Sequence, residues 1–233
     1  MKLIFDIGFN VGKFTLKCNE LHPEAKIVGV EANINLFYGL KNKGFKKLTL
    51  INKLVSDVDN EKKTLFIDPQ QPGISTALEA YTKDSRFKKG SKYLRENNSN
   101  WSSKEEVSSI TMDTMIKKYG KPDLVKIDVE GYEYNVLKGL TEKVGKICFE
   151  CHEEEKDKLY LCIEHLQKLG YEEFGFIGYL DEGDKYDLLT YSELGDPYLE
   201  EPKKYSDWRS LENEIEQSFI EDRRVNYGMF WSK

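Results

Sequence analysis

The stretch Lys2-Leu3-Ile4-Phe5-Asp6-Ile7-Gly8-Phe9-Asn10-Val11-Gly12-Lys13-Phe14-Thr15 decides the fold. Residues 2–7 form a short, nearly unbroken apolar run that stops at a glycine. That is the pattern of a strand buried on both faces of a parallel sheet. A helix is predicted over 11–21, with Phe14, Leu16 and Leu21 among its apolar positions and Pro23 closing the region. Residues 26–31 (K-I-V-G-V-E) read as a second strand, 34–43 as a second helix stopped by Gly44, and 48–55 as a third strand. The β-α-β-α-β order predicts a doubly wound α/β sheet, mostly parallel, with helices on both faces.

Further along, residues 64–67 read as a short strand. From 68 to 106 the pattern is polar, with Gly73, Gly90 and an N-N-S-N cluster at 97–100. A long irregular stretch of this kind predicts an insertion or lid, a candidate for acceptor binding. Regularity returns with a helix over 112–119, a fourth strand over 123–128 and a helix over 132–140. A fifth strand (146–151), a helix (156–169), a sixth strand (171–177), a helix (205–220) and a last strand (225–231) follow. With no repeat, linker or low-complexity tract, residues 1–233 are expected to form a single domain.

Composition narrows the function classes. At 39% apolar and 33% charged residues the chain is a soluble globular one. Its 35 basic and 41 acidic residues leave a net charge of −6, which argues against a nucleic-acid surface built on bulk positive charge. No run approaches the roughly 18 apolar residues of a membrane span. Residues 1–7 lack the flanks of a secretory leader. Four cysteines are too few for a disulfide scaffold, so a reducing compartment, the cytoplasm, is expected.

The loop after the first strand suits a ligand, because backbone N–H groups and a helix N-terminus converge there. It is not a full dinucleotide fingerprint, since Asn10 takes the place of the middle glycine. Asp6 at its mouth repels a pyrophosphate and suits a cation. S-adenosylmethionine, with an ammonium and a sulfonium, fits that charge. Glu31, ending the second strand, can accept both hydroxyls of a ribose. The competing reading is a plain turn at Asp6 and Gly8 and a solvated Glu31.

Three stretches combine: D-I-G-F-N-V-G-K-F-T at 6–15, V-G-V-E-A-N at 28–33 and D-L-V-K-I-D-V-E-G-Y-E-Y-N-V-L-K-G-L at 123–140. Together they resemble the FkbM family of S-adenosylmethionine-dependent methyltransferases. L-V-S-D at 54–57 and T-M-D-T at 111–114 are also similar to the family pattern. The resemblance implies a class I methyltransferase (Rossmann-like) fold, with a seven-stranded sheet and one antiparallel strand. It implies O-methylation, commonly of sugar hydroxyls in glycans or of natural products, and hence a carbohydrate or glycoconjugate acceptor. It places Asp6, Gly8, Asn10 and Gly12 around the methionine half of the cofactor. Glu31, with Ala32 and Asn33 beside it, falls on the ribose, and Ser56 and Asp57 near the adenine. Asp128 would face donor and acceptor. Two departures stand out: Phe9 where a small residue is usual, and no segment before the first strand. The second suggests a minimal catalytic domain or a piece of a larger glycan-building protein.

Methyl transfer to a hydroxyl requires in-line placement and somewhere for the proton to go. The strand ends supply Asp128, Glu130, Glu150 and His152, and alternation puts Cys148, Glu150 and His152 on one face. His152 is the preferred base, because an ordinary histidine titrates near working pH. It is weighed against a surface histidine preceding an acidic run. Asp128 is an alternative base, or joins Glu150 in holding Mg²⁺, a cation that favours oxygen ligands. Lys126 also reads as an internal ion-pair partner, and Glu130 as a helix cap.

Other patterns carry less. Cys148-Phe149-Glu150-Cys151-His152 matches a haem-attachment motif, but two core cysteines in a buried strand is the stronger reading. Tyr81, Phe87, Tyr93, Trp101, Tyr179, Tyr186, Tyr198 and Trp208 are candidates to stack on sugar rings, against ordinary packing. The rival functions are N-methylation of an amino sugar or protein and a non-catalytic cofactor-binding module. An NAD-dependent oxidoreductase is disfavoured by Asp6 and the missing glycine.

Overall fold

The structure is a computed structural model that describes residues 1–40, 43–83, 85, 87, 99–180, 204–205 and 225–233. Its main sheet begins as expected, with β1 (Leu3–Ile7), α1 (Lys13–Leu21), β2 (Lys26–Val30), α2 (Ile34–Leu40) and β3 (Leu48–Ile51). The later strands β7 (Leu124–Ile127) and β8 (Lys146–His152) lie on the other side of β1. The five run parallel in the order β3-β2-β1-β7-β8. Next comes β11 (Val225–Ser232), antiparallel to β8 and to β9 (Phe174–Leu180). A two-residue edge strand, β10 (Lys204–Tyr205), makes the sheet eight-stranded rather than seven-stranded.

Alternation along β1 sorts two cores. Leu3, Phe5 and Ile7 join a large cluster that includes Val136 and Leu137 of α4 (Glu133–Lys138) and Leu159, Cys162, Ile163 and Leu166 of α5 (Lys156–Lys168). Ile4 joins a smaller one with Phe14 and Cys18 of α1, Leu124 and Cys148. The helix α1 buries Phe14, Thr15 and Cys18, one stripe at helical spacing, and leaves the apolar positions Leu16 and Leu21 exposed. All four cysteines are buried and none is in a disulfide.

The expected third strand breaks at Asn52-Lys53. The chain leaves the main sheet there and enters a second one as β4 (Leu54–Val55). This smaller sheet has the order β4-β6-β5, with β5 (Lys62–Ile67) antiparallel and β4 parallel to β6 (Ser103–Ile110). The end of the 68–106 stretch is therefore strand. Its first half alternates exposed charge with part-buried residues, and Glu106 pairs with Lys62 across the ladder at 3.0 Å. Residues 72–74 and 79–82 form short 3₁₀ turns. Helix α3 (Met112–Tyr119) stands where expected, with the Thr111 hydroxyl accepting from the Thr114 N–H. The predicted helix over 205–220 lies outside the described residues, apart from Tyr205, which is in β10. No helix among the described residues is long and apolar enough to cross a membrane.

Candidate active site

A cleft opens beyond the carboxyl ends of β1, β2 and β7. Strand order reverses at β1, where sheets of this kind bind ligands.

The glycine loop forms its floor. Gly8 has φ +77°, and a Cβ there would stand 1.7 Å from the Asp128 carbonyl oxygen. Only glycine lets the loop lie against the end of β7. The N–H groups of Gly8 and Phe9 both donate to the Val30 carbonyl, at 3.1 and 3.0 Å. Glu31 follows at the tip of β2. Its Oε2 accepts from the Asn10 N–H at 2.7 Å and its Oε1 from the Asn33 N–H at 2.8 Å. Burial pushes its carboxyl up to about 7, while those two backbone donors pull the other way. The Asn52 amide donates to the carbonyls of Glu31 and Ala32, at 2.8 and 2.9 Å, and fixes the strand end. Each carboxylate oxygen keeps a lone pair for a further donor.

Gly8, Asn10, Glu31, Ala32 and Asp128 line the cleft. The other expected cofactor residues do not. Asp6 is fully buried on the α1 side of the sheet. Its Oδ2 accepts from the Thr15 hydroxyl at 2.7 Å, and its Oδ1 lies 3.3 Å from Lys126 Nζ. Burial raises its carboxyl above the ordinary value, against the pull of the Lys126 ammonium and the Thr15 hydroxyl. Gly12, with φ +82°, precedes α1, and a Cβ there would strike Phe45 and Phe9. Asn33 serves the start of α2, its Oδ1 accepting from the N–H groups of Asn35 and Leu36. Ser56 and Asp57 turn toward α4 because the third strand breaks early. Ser56 Oγ is 3.1 Å from the Tyr132 hydroxyl, and Asp57 pairs with Lys138 at 2.7 Å.

The proposed chemical groups separate into two sets. Lys126 lies 3.4 Å from Asp128 Oδ2 as well as beside Asp6, confirming the internal ion-pair reading of that lysine. Glu150 instead faces His152, its Oε2 3.3 Å from Nε2. Among the described residues, the cluster of metal-ligating side-chain types is Glu130, Glu150 and His152, without Asp128. Ligand-type atoms of Glu130, Glu150 and His152 all lie within 4.8 Å of one another. His152 is buried, not a surface residue, and does not line the cleft. Its Nδ1 is 3.1 Å from the Tyr81 hydroxyl, which donates to Glu130 Oε2 at 2.7 Å. Glu130 caps no helix. It lines the cleft, and burial beside Glu150 and Asp128 holds its carboxyl well above the usual range.

Several residues escaped the sequence reading. Pro72, Gly73, Ser75 and Ala77, from the stretch read as a lid, line the cleft. A Cβ on Gly73 would meet the Asn10 amide at 2.9 Å, so this turn sits directly on the glycine loop. The Pro72-Gly73 pair was its one legible signal. Tyr81, Phe87 and Trp101 pack with Phe66 and Ile74 in a small buried core, and this packing replaces the sugar-stacking role considered for them. Tyr93, Tyr186, Tyr198 and Trp208 lie outside the described residues, as does the side chain of Tyr179.

A family model described as the methyltransferase FkbM domain matches residues 6–177. No curated protein matches the chain. Among solved structures, it is similar to the precorrin-6y C5,15-methyltransferase of Geobacter metallireducens, at 11% identity and a TM-score of 0.45, covering 100% of this chain and 78% of that one. It is also similar to an S-adenosylmethionine-dependent O-methyltransferase of Thermotoga maritima, at 11% and 0.45, covering 100% and 59%. The fibrillarin pre-rRNA processing protein of Methanococcus jannaschii is similar at 9% and 0.45, covering 99% and 65%. Likenesses this faint decide neither fold nor chemistry.

Proposed function

Because the chain belongs to the FkbM methyltransferase family, we propose that it methylates a sugar hydroxyl of a glycan or glycoconjugate, with S-adenosylmethionine as donor. When bound, that cofactor supplies a methyl group already activated by its sulfonium. The protein's own task is to bind, orient and deprotonate.

The observation that carries the cofactor reading is Glu31. Its buried carboxylate is preset by two backbone donors and opens on the cleft, where it would accept the ribose hydroxyls. Gly8 and Asn10 would hold the amino-acid end. Leu36, Leu54 and Val55 offer an apolar wall for the adenine. Asp6, Gly12, Asn33, Ser56 and Asp57 would act from behind, holding the loop, α1, α2 and α4 in place. Asp128 and Glu130 stand on the side left for the acceptor. They would also attract an ammonium group, which supports N-methylation as the second reading. Four buried cysteines, none in a disulfide, favour the cytoplasm as the place of reaction.

Calorimetry with S-adenosylhomocysteine tests the cofactor site. Glu31→Ala should weaken binding about 10-fold or more, the worth of hydrogen bonds to a charged group. Equal affinity in both proteins would remove Glu31 from the site. Mass spectrometry of a glycan array incubated with labelled donor tests the acceptor class, and product fragments separate O- from N-methylation.

A further inference from the structure

We propose that Glu130 is the residue that receives the acceptor's proton, and that Tyr81 and His152 are positioning residues behind it. This rests on the methyl-transfer reading above and replaces His152 as the base.

Among the described residues, three carboxylates line the cleft, and two are committed elsewhere. Glu31 holds the N–H groups of Asn10 and Asn33 at the loop end. Asp128 shares the Lys126 ammonium, 3.4 Å from its Oδ2. Among the described residues, the donor to the Glu130 side chain is neutral, the Tyr81 hydroxyl, and no cation pairs with it.

The backbone is bent to put that carboxylate there. Glu130 has φ +52° and Gly131 φ +87°, two successive left-handed residues at the end of β7. The Glu130 carbonyl is pinned by the Thr76 hydroxyl at 2.7 Å. A strained, non-glycine residue held from two sides is how sites fix a working group.

The order of donors follows from counting protons. With Glu130 ionised, the one proton of the Tyr81 hydroxyl goes to its carboxylate, and His152 Nδ1 then donates to the Tyr81 oxygen. Glu150 faces the other ring nitrogen, and the Tyr81 and His152 rings stack with centroids 6.0 Å apart. In the step assigned to Glu130, the acceptor O–H bond breaks. Its electron pair bonds the incoming methyl carbon, the methyl–sulfur pair stays on sulfur, and the proton ends on a Glu130 oxygen.

The test uses the full chain with ¹⁵N-labelled histidine, the His152 signals being assigned by their loss in His152→Asn. Nδ1 of His152 should carry the proton. Labelled donor is then offered with methyl hexosides, and with water alone as background acceptor. Glu130→Gln and wild type should bind S-adenosylhomocysteine within about 2-fold. Donor consumption in Glu130→Gln should fall about 100-fold or more, in kcat rather than in donor KM, as for a lost base. Glu130→Asp should restore part of it, and Tyr81→Phe should lower kcat alone. A proton-free Nδ1, or consumption by Glu130→Gln at the wild-type rate, overturns the proposal. So does loss of wild-type consumption in excess chelator, which would put a cation between Glu130, Glu150 and His152. Failure of wild type to bind S-adenosylhomocysteine would instead sink the methyltransferase reading itself.

Discussion

The Nζ of Lys126 donates to the carbonyl oxygen of Gly8 at 2.6 Å. The same ammonium stands between Asp6 and Asp128, so one buried cation ties the glycine loop to β1 and β7. Both carboxylates raise its proton affinity against the opposing effect of burial. Lys126→Met should leave Asp6 buried without its cation, a loss of about 3–5 kcal/mol. Urea denaturation would read that loss, and S-adenosylhomocysteine affinity should fall with it. A variant as stable as wild type would mean that the ammonium does not hold the loop.

The pH response of Glu31 has a fixed sign. Its carboxyl is raised to about 7 in the folded protein from an ordinary value of 4.5. The neutral form is therefore the better tolerated one, and this site's stability is fully present below 4.5 and lost as pH rises through 7. The loss amounts to about 3 kcal/mol. Glu31→Gln should remove this dependence, so the stability difference between variant and wild type should shift by about that amount between pH 4.5 and 8. Cofactor affinity runs the other way, because the ionised form is the better acceptor for ribose hydroxyls. It should weaken as pH falls below 7 in wild type only. Parallel profiles for the two proteins would contradict the assignment.

Trp101 fastens the 72–77 turn to the body of the protein. Its indole N–H donates to the Ile74 carbonyl at 3.0 Å, and its ring packs with Tyr81 and Phe87. Trp101→Ala should cost about 3–5 kcal/mol as a large-to-small core change. Because Pro72, Gly73 and Ser75 line the cleft, cofactor affinity should drop as well. Lost stability with an unchanged Kd would show that this turn is a cover and not part of the pocket.

Parts of this architecture were legible because burial leaves a pattern. Strands covered on both faces read as apolar runs, which made β1, β2, β7 and β8 plain. The break at Asn52-Lys53 was not, since a single Asn is a weak turn signal and the apolar pattern continues into Val55. The half-exposed β6 read as loop because its charges face solvent and a partner strand that only the fold supplies. Glu31 was legible from its place at a strand end. Asp6 was legible as unusual but misread in direction. Alternation puts it with Ile4, on the face covered by α1, and across the ladder from Lys126, so an internal pair was the consequence of parity. The contact of Glu130 with Tyr81 joins residues 49 apart and had no local signal.

Two glycines of the cleft should respond differently to the same methyl group. At Gly8 a Cβ would fall 1.7 Å from a backbone carbonyl oxygen, and its φ of +77° is strained for any other residue. Neither the β7 end nor the loop can yield without breaking the Lys126 contact, so Gly8→Ala should lose both stability and cofactor binding. At Gly73 the Cβ would meet only the Asn10 side-chain amide, at 2.9 Å, the far end of a flexible group. Gly73→Ala should leave unfolding within about 0.5 kcal/mol of wild type, as for changes away from the core. Its effect should appear instead as a several-fold change in S-adenosylhomocysteine Kd, through displacement of Asn10 in the cleft. Thermal denaturation and calorimetry on the two variants side by side separate the outcomes. Equal damage from both would mean that the turn at 72–74 and the glycine loop form one rigid unit.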